Sequence, residues 1–557
     1  MAVLDFCMVA CLGGWWLYTC YRLYLNYNKA SKLGIPCIVV LFSPDSPLWI
    51  ALQTTFSSLF RYLPLDTFSF TRYCSFGWEF RDRYETHDRL GDAWILVTPV
   101  RNWLFVADTQ AIVDVFSRGR DFINPAWMLE PLAIFGPSIS TAEGKDWQRQ
   151  RKLTATPFNE QKSVLVWQES LRQASDMLNT WCSHGSNGFT TTSDDTRTLA
   201  LHVLAYVAFQ KSYPFGSKSK TEVTSAESMT YRDAIAIILK NIFLILVFPA
   251  SIFTLPGVPT SWKRIGWAVQ YFRTYMLQQV HDEQQLVRNG QSGTGTLISN
   301  LVRASNEAAR EDSMIKPLSE AEILGNMFVF NFAGHDTTAI SLAYAMVLLS
   351  AHPEVQDWVH EEIRQYVQDG DLLNLEYDNI FPKLKRCVAV LYETLRLYSP
   401  LPGVPKYTGN QPSHLSVQSQ SYLVPADTLI IPNLQTVQTH PQYWGNDSLV
   451  WRPQRWISGS RAKGNLESEV LLDPPKGTYF PWSEGIRNCP GKRFAQVEFV
   501  AVMVALFTDH VSEPVPKANE TLTEARRRAL DVVKDSHVEL LLQMRAPESL
   551  SISWKKR

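Results

Sequence analysis

The side chain with the clearest chemical potential in the sequence is the thiol of Cys489. Gly485 and Gly491 flank it, four residues before and two residues after, so backbone N–H groups can approach the sulfur closely. An apolar helix is predicted from Lys492 onward, and the positive end of its dipole favours a thiolate. The nearby cation of Arg487 acts in the same direction. A thiolate in this setting can be a nucleophile, a redox sensor or a metal ligand.

The residues around Cys489 bear on three alternatives for its role. A cysteine nucleophile needs a histidine base, and His335 is the only obvious internal candidate, although nothing in the sequence ties it to Cys489. A lone buried cysteine would not need the flanking glycines. No C-x-x-C pair occurs, which argues against a zinc or thioredoxin-like centre. We therefore expect a metal ligand, specifically the axial thiolate of a haem iron, which favours O–O bond cleavage.

A second group of reactive side chains lies in the middle of a long predicted helix. Ser319 and Glu322 form a capping-box pattern, and the helical pattern then continues without proline to Ala351. Pro353 enforces a stop. The helix would be about 33 residues long, on the order of 50 Å. We expect a helix of this length to cross the whole molecule.

The middle of this helix combines small residues with an acid and an alcohol. Ala333 and Gly334 remove side-chain bulk, so a flat ligand could pack against the backbone there. Asp336 and Thr337 follow, and a mid-helix threonine can bond to a carbonyl one turn earlier and bend the helix. A helix–helix crossing at small residues is the structural alternative. The functional interpretation is a proton-delivery site beside a bound ligand in a dry pocket.

The composition and the hydrophobic patterns limit the class of protein. The chain has 557 residues, with 53 Lys and Arg against 54 Asp and Glu, and this balance argues against nucleic acid as a partner. The length fits three or four domains, or one large enzyme domain. The patterns predict a mainly α fold with a small β portion. Helices are predicted at 161–181, 196–208, 262–288, 354–367 and 384–397, strands at 94–98, 103–106, 421–424 and 428–431, and flexible breaks at 216–228, 289–296 and 409–420.

The N-terminus is predicted to be a transmembrane anchor over residues 1–26. Residues 6–21 carry no charge, and the stretch is long enough for a tilted membrane helix. Arg22, Lys29 and Lys32 follow it, so the positive-inside rule puts the rest of the chain in the cytosol. A cleaved signal peptide is the alternative, but the stretch lacks a basic n-region and a clear cleavage site.

Further expectations follow from this topology. Residues 27–64 are predicted to be a membrane-proximal linker. A second apolar stretch at 234–253 is interrupted by polar residues and prolines, so a buried or surface helix is favoured over a span. Asn446 and Asn519 match the glycosylation sequon and should stay unmodified if the body is cytosolic.

Several motifs of the sequence resemble those of a known family. The loop from Trp482 to Gly491 resembles the haem-binding loop of the cytochrome P450 monooxygenases, and residues 333–338 resemble their oxygen-activation motif. The usual phenylalanine seven residues before the ligand is Trp482 here. The resemblance covers roughly residues 65–545 and implies a haem-thiolate monooxygenase domain over 65–557, with the anchor of microsomal, fungal-like members.

Two further motifs carry the resemblance and imply structural roles. Glu393 and Arg396 match the family's Glu-x-x-Arg motif, and their spacing puts the two charges on one helix face. The segment around Arg455 resembles the one that supplies a second arginine to this pair. Gln454 replaces a common acidic residue there. In the family this trio locks the core behind the haem.

The resemblance also implies contacts with the haem propionates. Trp147 and Arg151 look like the family's tryptophan–arginine pair, and Arg487 carries over as another propionate partner because a guanidinium binds a carboxylate in a bidentate way. Lys406 stands where an arginine is often found, without the fork geometry of a guanidinium.

The implied reaction uses O₂, two electrons and two protons to oxidise a substrate. Cys489 would hold the iron of haem b, and Asp336 and Thr337 would deliver protons. The chain has no G-x-G-x-x-G fingerprint, so electrons from NADPH must come through a separate, flavin-containing reductase at the membrane.

The substrate pocket implied by the resemblance is apolar. It would include Phe332, Leu401, Gly403 and Val404, so a lipophilic small molecule is expected, in secondary metabolism of a terpenoid, polyketide or alkaloid. A haem-thiolate isomerase or dehydratase and a non-catalytic haem-binding protein are the alternatives. The acid–alcohol pair at 336–337 argues against both.

Overall fold

The structure, a computed structural model, describes residues 2–46, 49, 72–155, 159–216, 229–293, 295–310, 316–367, 372–459 and 466–557. Most of the described residues are helical, and short 3₁₀ turns connect several of the elements. The helices are α1 (Ala2–Ser31), α2 (Trp78–Asp82), α3 (Glu85–Leu90), α4 (Thr109–Ser117), α5 (Ala126–Leu129), α6 (Gly144–Ala155), α7 (Glu160–Cys182), α8 (Thr192–Phe209), α9 (Tyr231–Lys240), α10 (Ile242–Val247), α11 (Thr260–Arg288), α12 (Leu297–Arg310), α13 (Glu320–Ala351), α14 (Pro353–Tyr366), α15 (Tyr377–Ile380), α16 (Lys385–Leu397), α17 (Leu434–Thr439), α18 (Pro441–Trp444), α19 (Lys492–Phe507) and α20 (Leu522–Lys534). The strands are β1 (Cys37–Val39), β2 (Ala93–Val97), β3 (Asn102–Val106), β4 (Lys406–Tyr407), β5 (Ser413–Val417), β6 (Gln420–Val424), β7 (Thr428–Pro432), β8 (Ile457–Ser458), β9 (Val470–Leu471), β10 (His510–Pro514), β11 (Ser536–Val538), β12 (Leu542–Met544) and β13 (Ile552–Lys556). The prediction of a mainly α fold with a small β portion is confirmed.

The N-terminal helix differs from the prediction. Across the described residues, none of the helices has the length and apolar character needed to cross a membrane, so the transmembrane anchor predicted over residues 1–26 is not supported. The second half of α1 instead contacts the body. The side-chain amide of Asn26 donates to the carbonyl of Thr98 at 2.8 Å, and that of Asn102 donates to the carbonyl of Asn26 at 3.0 Å.

The segment after α1 belongs partly to the body as well. Strand β1 pairs in parallel with β2, within residues predicted to be a membrane-proximal linker over 27–64. Residues 47–48 and 50–64 of that linker lie outside the described residues. Most of the predicted break at 216–228 lies outside them too.

The largest sheet has five strands in the order β1-β2-β3-β7-β4. Its centre is a hairpin of the two strands predicted at 94–98 and 103–106, in which Ile95 of β2 faces Leu104 of β3, and β7 then pairs in parallel with β3. Both faces of the hairpin are buried: Ile95 and Leu104 join one apolar cluster, while Trp94 and Phe105 stack on the other face with ring centroids 4.4 Å apart. Burial on both faces explains the unbroken apolar runs of these strands.

Two smaller predictions have opposite outcomes. The flexible break predicted at 409–420 is wrong in part, because β5 forms there and pairs with β6 in an antiparallel hairpin. The apolar stretch at 234–253 is confirmed as helical and buried rather than spanning. It forms parts of α9, all of α10 and a 3₁₀ turn, with Ile235, Ile238 and Phe253 fully buried.

Helix α13 is the long helix predicted from the sequence. Its capping box is formed, since the backbone N–H of Glu322 donates to Ser319 Oγ and the backbone N–H of Ser319 donates to the Glu322 carboxylate at 2.7 Å. It packs against α8, α11, α16, α19 and α20. Its first part, 323–330, lies in one apolar core and its last part, 340–351, lies in another. The predicted functional segment is where these two cores meet.

Candidate functional site

The middle of α13 is partly uncovered inside the body. Residues 322–331 and 338–351 are buried, but Ala333 is exposed, and Phe332, Gly334 and Thr337 are only half-buried. A Cβ added at Gly334 would meet only the Leu204 side chain, at 3.7 Å. A helix between two apolar cores that exposes its middle must border a gap. The small residues predicted to admit a flat ligand lie at that gap.

Thr337 has the local geometry that the sequence predicts. Its hydroxyl donates to the carbonyl of Ala333 at 2.8 Å, one turn earlier. Such a bond weakens the regular helical ladder and bends the helix. The hydroxyl keeps its lone pairs as acceptors on the uncovered side of α13.

Asp336 points toward α8, where it contacts Arg197. The guanidinium Nε of Arg197 donates to Asp336 Oδ1 at 3.2 Å, and its other nitrogens contact Ser193 Oγ and Gln543 Oε1, each at 3.0 Å. The sequence reasoning missed Arg197, because 139 residues separate the two partners and no motif marks the arginine. His335 contacts the carbonyl of Arg197 and not Cys489, so the structure gives no support to a Cys–His nucleophile.

Cys489 lies in the loop before α19 with its side chain exposed. Many protein atoms nevertheless surround the thiol, and this burial raises its pKa above the ordinary value, against the backbone N–H groups of Gly491 and Lys492 and the cation of Arg151. The predicted donors are therefore present but do not by themselves yield a thiolate. A metal ion would supply the missing positive charge, because a coordinating thiol is deprotonated outright.

The loop around Cys489 is held by close packing. Gly485 has a φ of +70°, and a Cβ there would come within 2.5 Å of the carbonyl oxygen of Phe116. Glycine is thus required for the loop to lie against α4. The backbone N–H of Cys489 donates to the carbonyl of Trp482 at 2.9 Å, and the Trp482 ring packs edge-on against Tyr392. Tryptophan therefore retains an aromatic packing role at this position.

Helix α6 contacts the Cys489 loop through Trp147 and Arg151, the two residues predicted to contact a haem propionate. Arg151 donates to the backbone carbonyl and the side-chain oxygen of Asn488 at 3.1 and 2.9 Å. The guanidinium carbon of Arg487 lies 4.5 Å from the Trp147 ring centroid. Trp147 and Arg151 are thus brought to the residues beside Cys489.

The same helix also contacts the first turns of α13. Arg149 forms an ion pair with Glu322, and the Gln150 amide donates to the same carboxylate at 3.2 Å. Asn326 in turn donates to the Gln150 side-chain oxygen at 3.0 Å. Helix α6 therefore ties the Cys489 loop to the helix that carries the uncovered segment.

Arg487 and Lys406 place two cations beside the Cys489 loop. Arg487 donates to the Glu143 carboxylate at 2.7 Å, and Lys406 donates to Asn124 Oδ1 at 2.7 Å. Burial and the charge of Arg487 lower the pKa of Lys406 to about 8, with Glu143 opposing. Two cations with one carboxylate between them leave an excess of positive charge, which suits the carboxylates of a ligand.

The predicted structural trio is complete. Arg396 binds Glu393 through two nitrogens, both at 2.9 Å, and Arg455 Nε donates to the same carboxylate at 2.9 Å. Burial alone would raise the pKa of Glu393, but the two arginines outweigh it and hold the pKa below the ordinary value. Arg396 also donates to the carbonyl of Gln438, whose side chain accepts the backbone N–H of Phe480. This chain of bonds reaches the start of the Cys489 loop.

The residues predicted to face the substrate are divided between two clusters. Phe332 stacks on Phe328 at 6.1 Å, against the apolar core of α9 and α11. Val404 packs on the sheet cluster, Leu401 is 47% exposed, and a Cβ at Gly403 would meet open space. Phe332 and Val404 therefore belong to different apolar clusters.

A family model described as Cytochrome P450 matches residues 79–534, most of the chain. The chain therefore belongs to the cytochrome P450 monooxygenase family, which is a family of oxidoreductases, and the family implies a haem cofactor.

Individual relatives agree with this family. The chain is 29% identical to a cytochrome P450 monooxygenase of Arthrobotrys oligospora, with 94% of each chain covered. It is 30% identical to a phomenoic acid biosynthesis cluster cytochrome P450 monooxygenase of Leptosphaeria maculans, covering 89% of this chain and 90% of that protein. A solved cytochrome P450 structure shares the fold at a TM-score of 0.64 and 17% identity, covering 86% of this chain and 98% of that one.

The residues at the site fit a haem. A haem would be held by a ligand to its iron, by room for its flat ring and by cations for its propionates. The exposed thiol of Cys489, the uncovered small residues of α13 and the cations around Arg487 supply these three features.

Proposed function

We propose that the protein is a haem-thiolate monooxygenase that inserts one oxygen atom from O₂ into a lipophilic small molecule. The observation that carries this proposal is the uncovered middle of α13, with Ala333 and Thr337 on the open side, tied through α6 to the loop of an exposed cysteine. Bound haem would supply the activation of O₂. The chain's own residues must hold the haem, admit the substrate and move protons.

Seven side chains or backbone positions would hold the haem in this proposal. Cys489 would ligate the iron, and the N–H groups of Gly491 and Lys492 would stabilise its thiolate. Gly334 would leave room for the ring. The haem propionates would bind the three remaining side chains, which are Trp147, Arg151 and Arg487. Arg487 would then exchange part of its contact with Glu143 for a ligand carboxylate.

Thr337 and Asp336 would handle the two protons of the reaction. The Thr337 hydroxyl can pass its own proton onward and accept another, because its lone pairs remain open. Asp336 borders the partly exposed side of α13 and is 19% exposed, so water can reach its carboxylate. This arrangement would deliver protons without opening the apolar pocket to bulk water.

The electrons would come from NADPH through a separate flavin-containing reductase. The support for this proposal is the absence of a G-x-G-x-x-G fingerprint in the sequence. A purified chain with NADPH alone should therefore show no turnover, and addition of a reductase should start it.

The substrate is proposed to be apolar, with a place in secondary metabolism of a terpenoid, polyketide or alkaloid. Phe332 continues the aromatic stack of the α9–α11 core, and the turn of Leu401, Gly403 and Val404 offers apolar surface. One relative carries the name of a phomenoic acid biosynthesis cluster, which agrees with this metabolic context.

We also propose that residues 65–557 form the catalytic domain and face the cytosol at the endoplasmic reticulum membrane. Tryptophan and tyrosine favour the membrane–water boundary, and the exposed part of α1 is rich in both. The exposed aromatic residues there include Trp15, Trp16, Tyr18 and Tyr21. Cell fractionation tests this, and glycans on Asn446 or Asn519 would overturn the topology.

The ligation of haem by Cys489 gives the decisive test. The reduced protein with carbon monoxide should show the red-shifted Soret band of thiolate ligation. Cys489→Ala should abolish the band and all activity, while Cys182→Ala, a half-buried cysteine of α7, should retain both. A thiolate band in Cys489→Ala would refute the assignment. Turnover that proceeds without O₂ would instead indicate an isomerase or dehydratase.

A further inference from the structure

His335 is buried beside Asp336, and its tautomer is fixed by one contact. Ring nitrogen Nε2 lies 3.0 Å from the backbone carbonyl oxygen of Arg197, which can only accept a hydrogen bond, so Nε2 carries the hydrogen. Burial lowers the pKa of His335, against the charge of Asp336. The ring is therefore neutral near pH 7, and its other nitrogen, Nδ1, presents a lone pair.

This lone pair faces the carboxyl group of Asp336. Nδ1 is buried without a hydrogen-bond partner and lies 3.5 Å from Asp336 Oδ1. While the ring is neutral, Nδ1 and the carboxylate oxygen are both acceptors, so a hydrogen bond forms between them when the carboxyl is protonated and donates to the ring. The guanidinium of Arg197 contacts the same oxygen at 3.2 Å and favours the ionised carboxylate. One oxygen atom is thus held between a group that favours its proton and a group that disfavours it.

We propose that His335 is a positioning residue that stabilises the protonated form of Asp336, so that the carboxyl is balanced between His335 and Arg197 as a proton donor. The inference deepens the proposed monooxygenase function and rests on it. In each cycle the proton leaves Asp336 toward the pocket, and Arg197 stabilises the carboxylate that remains. Water at the partly exposed edge of Asp336 returns a proton, and Nδ1 again accepts the O–H.

The charged groups around this pair are few among the described residues that contact it. Helix α8 contributes Arg197, whose Nη1 lies 3.9 Å from the exposed carboxylate of Asp194. Strand β12 contributes the neutral amide of Gln543. Helix α13 contributes only the pair itself. The pH dependence of proton delivery should therefore reflect the balance of His335, Arg197 and Asp336.

Three substitutions of His335 separate its two contacts. His335→Gln can retain a donor to the Arg197 carbonyl but cannot present an acceptor at the position of Nδ1. His335→Asn can place its side-chain oxygen near that position. His335→Phe removes both contacts and fills the volume. His202→Gln is the matched control, since His202 is also buried and contacts Gln173 of α7.

The first measurement is the pH profile of reductase-driven NADPH oxidation, with peroxide released per NADPH. The protonated donor is needed, so the rate falls as pH rises. Loss of the acceptor should move this fall to lower pH in His335→Phe and His335→Gln, with a threefold to tenfold lower rate at neutral pH, as expected for one lost hydrogen bond. His335→Asn and the control should stay near the wild-type profile.

The second measurement does not depend on turnover. In the diamagnetic ferrous carbon monoxide form, ring-¹⁵N histidine spectra should give His335 Nδ1 as an unprotonated nitrogen, assigned by its loss in His335→Asn. A protonated Nδ1, or a wild-type profile in both His335→Phe and His335→Gln, would overturn the inference. Failure of the proposed function is distinct, because the wild-type protein itself would then lack the thiolate band or consume no NADPH.

Discussion

Glu393 and Asp336 are both carboxylates paired with arginine, yet their surroundings differ in every other respect. Glu393 is fully buried and accepts hydrogen bonds from Arg396, Arg455 and the Trp456 indole. Asp336 is partly exposed and contacts one arginine, Arg197. Several donors hold the pKa of the Glu393 carboxylate below its ordinary value. For Asp336, with fewer fixed donors, we propose that the carboxyl takes part in proton transfer.

This difference shows how one pair of residue types serves two purposes. A buried charge must keep all of its partners, because the loss of one leaves an unpaired charge in an apolar environment. A carboxyl at the edge of a gap can change protonation, because water and an opposing acceptor compensate for the change. The number of fixed donors around each acid therefore distinguishes a structural pair from one that is able to transfer protons.

The largest effect is expected at the buried pair. Glu393→Gln leaves Arg396 and Arg455 buried without a counter-charge, so we expect a loss of about 3–5 kcal/mol in the free energy of unfolding. Urea denaturation and haem content measure it. Glu513→Gln, which breaks the exposed ion pair with Lys555, should change neither. Equal stability of Glu393→Gln and the wild-type protein would remove the contrast between the two acids.

The ion pairs of Glu393 with Arg396 and Arg455 also predict that the free energy of unfolding depends on pH in the acid range. The pKa of Glu393 is lower in the folded protein than in the unfolded chain, so its contribution is fully present above the unfolded value of about 4.3 and is lost as pH falls through the folded value. The stability difference between the wild-type protein and Glu393→Gln should accordingly shrink below about pH 4. Unfolding curves collected between neutral pH and acid measure this, and a difference that grows in acid would contradict it.

The next largest effect is expected at Thr337, the hydroxyl residue that follows Asp336. Thr337→Ala removes the hydroxyl that relays protons, so coupling of NADPH oxidation to product should fall by about tenfold to a hundredfold, with more peroxide released. Folding should hardly change, since the hydroxyl contacts only the Ala333 carbonyl of its own helix. Thr337→Ser retains the hydroxyl and should retain coupling. Unchanged coupling in Thr337→Ala would remove Thr337 from the proposed mechanism.

The sequence predicted local features well and distant partners poorly. The capping box of α13, the hydroxyl bond of Thr337 and the hairpin of β2 and β3 depend on neighbouring residues, and all three are formed. The pairing of Arg197 with Asp336 depends on how α8 packs on α13, which local spacing does not encode. The same holds for β1, which finds its partner β2 more than fifty residues away.

Two other expectations concern surroundings that local spacing does not encode. The donors around Cys489 were predicted to favour a thiolate; burial raises the pKa of the thiol, against the N–H groups of Gly491 and Lys492 and the charge of Arg151. The apolar N-terminus was predicted to span a membrane, but no helix among the described residues is long and apolar enough to do so, and Asn26 of α1 contacts Thr98 and Asn102.

The smallest effect is expected at Arg197, the partner of the partly exposed Asp336. Arg197→Gln removes the charge that favours ionised Asp336, so the fall of NADPH oxidation with pH should move to higher pH, opposite to the shift in His335→Phe. The rate at neutral pH should change by roughly threefold or less, and stability by less than about 1 kcal/mol, because the pair is partly exposed.

Arg197→Lys is the matched variant, since it retains the charge without the fork of nitrogens that also contacts Ser193 and Gln543. Its profile should lie between those of the wild-type protein and Arg197→Gln. A loss of stability in Arg197→Gln as large as that in Glu393→Gln would contradict the distinction between the two acids. The ion pair of Asp336 would then contribute as much to stability as that of Glu393, and the proposed proton transfer would need another explanation.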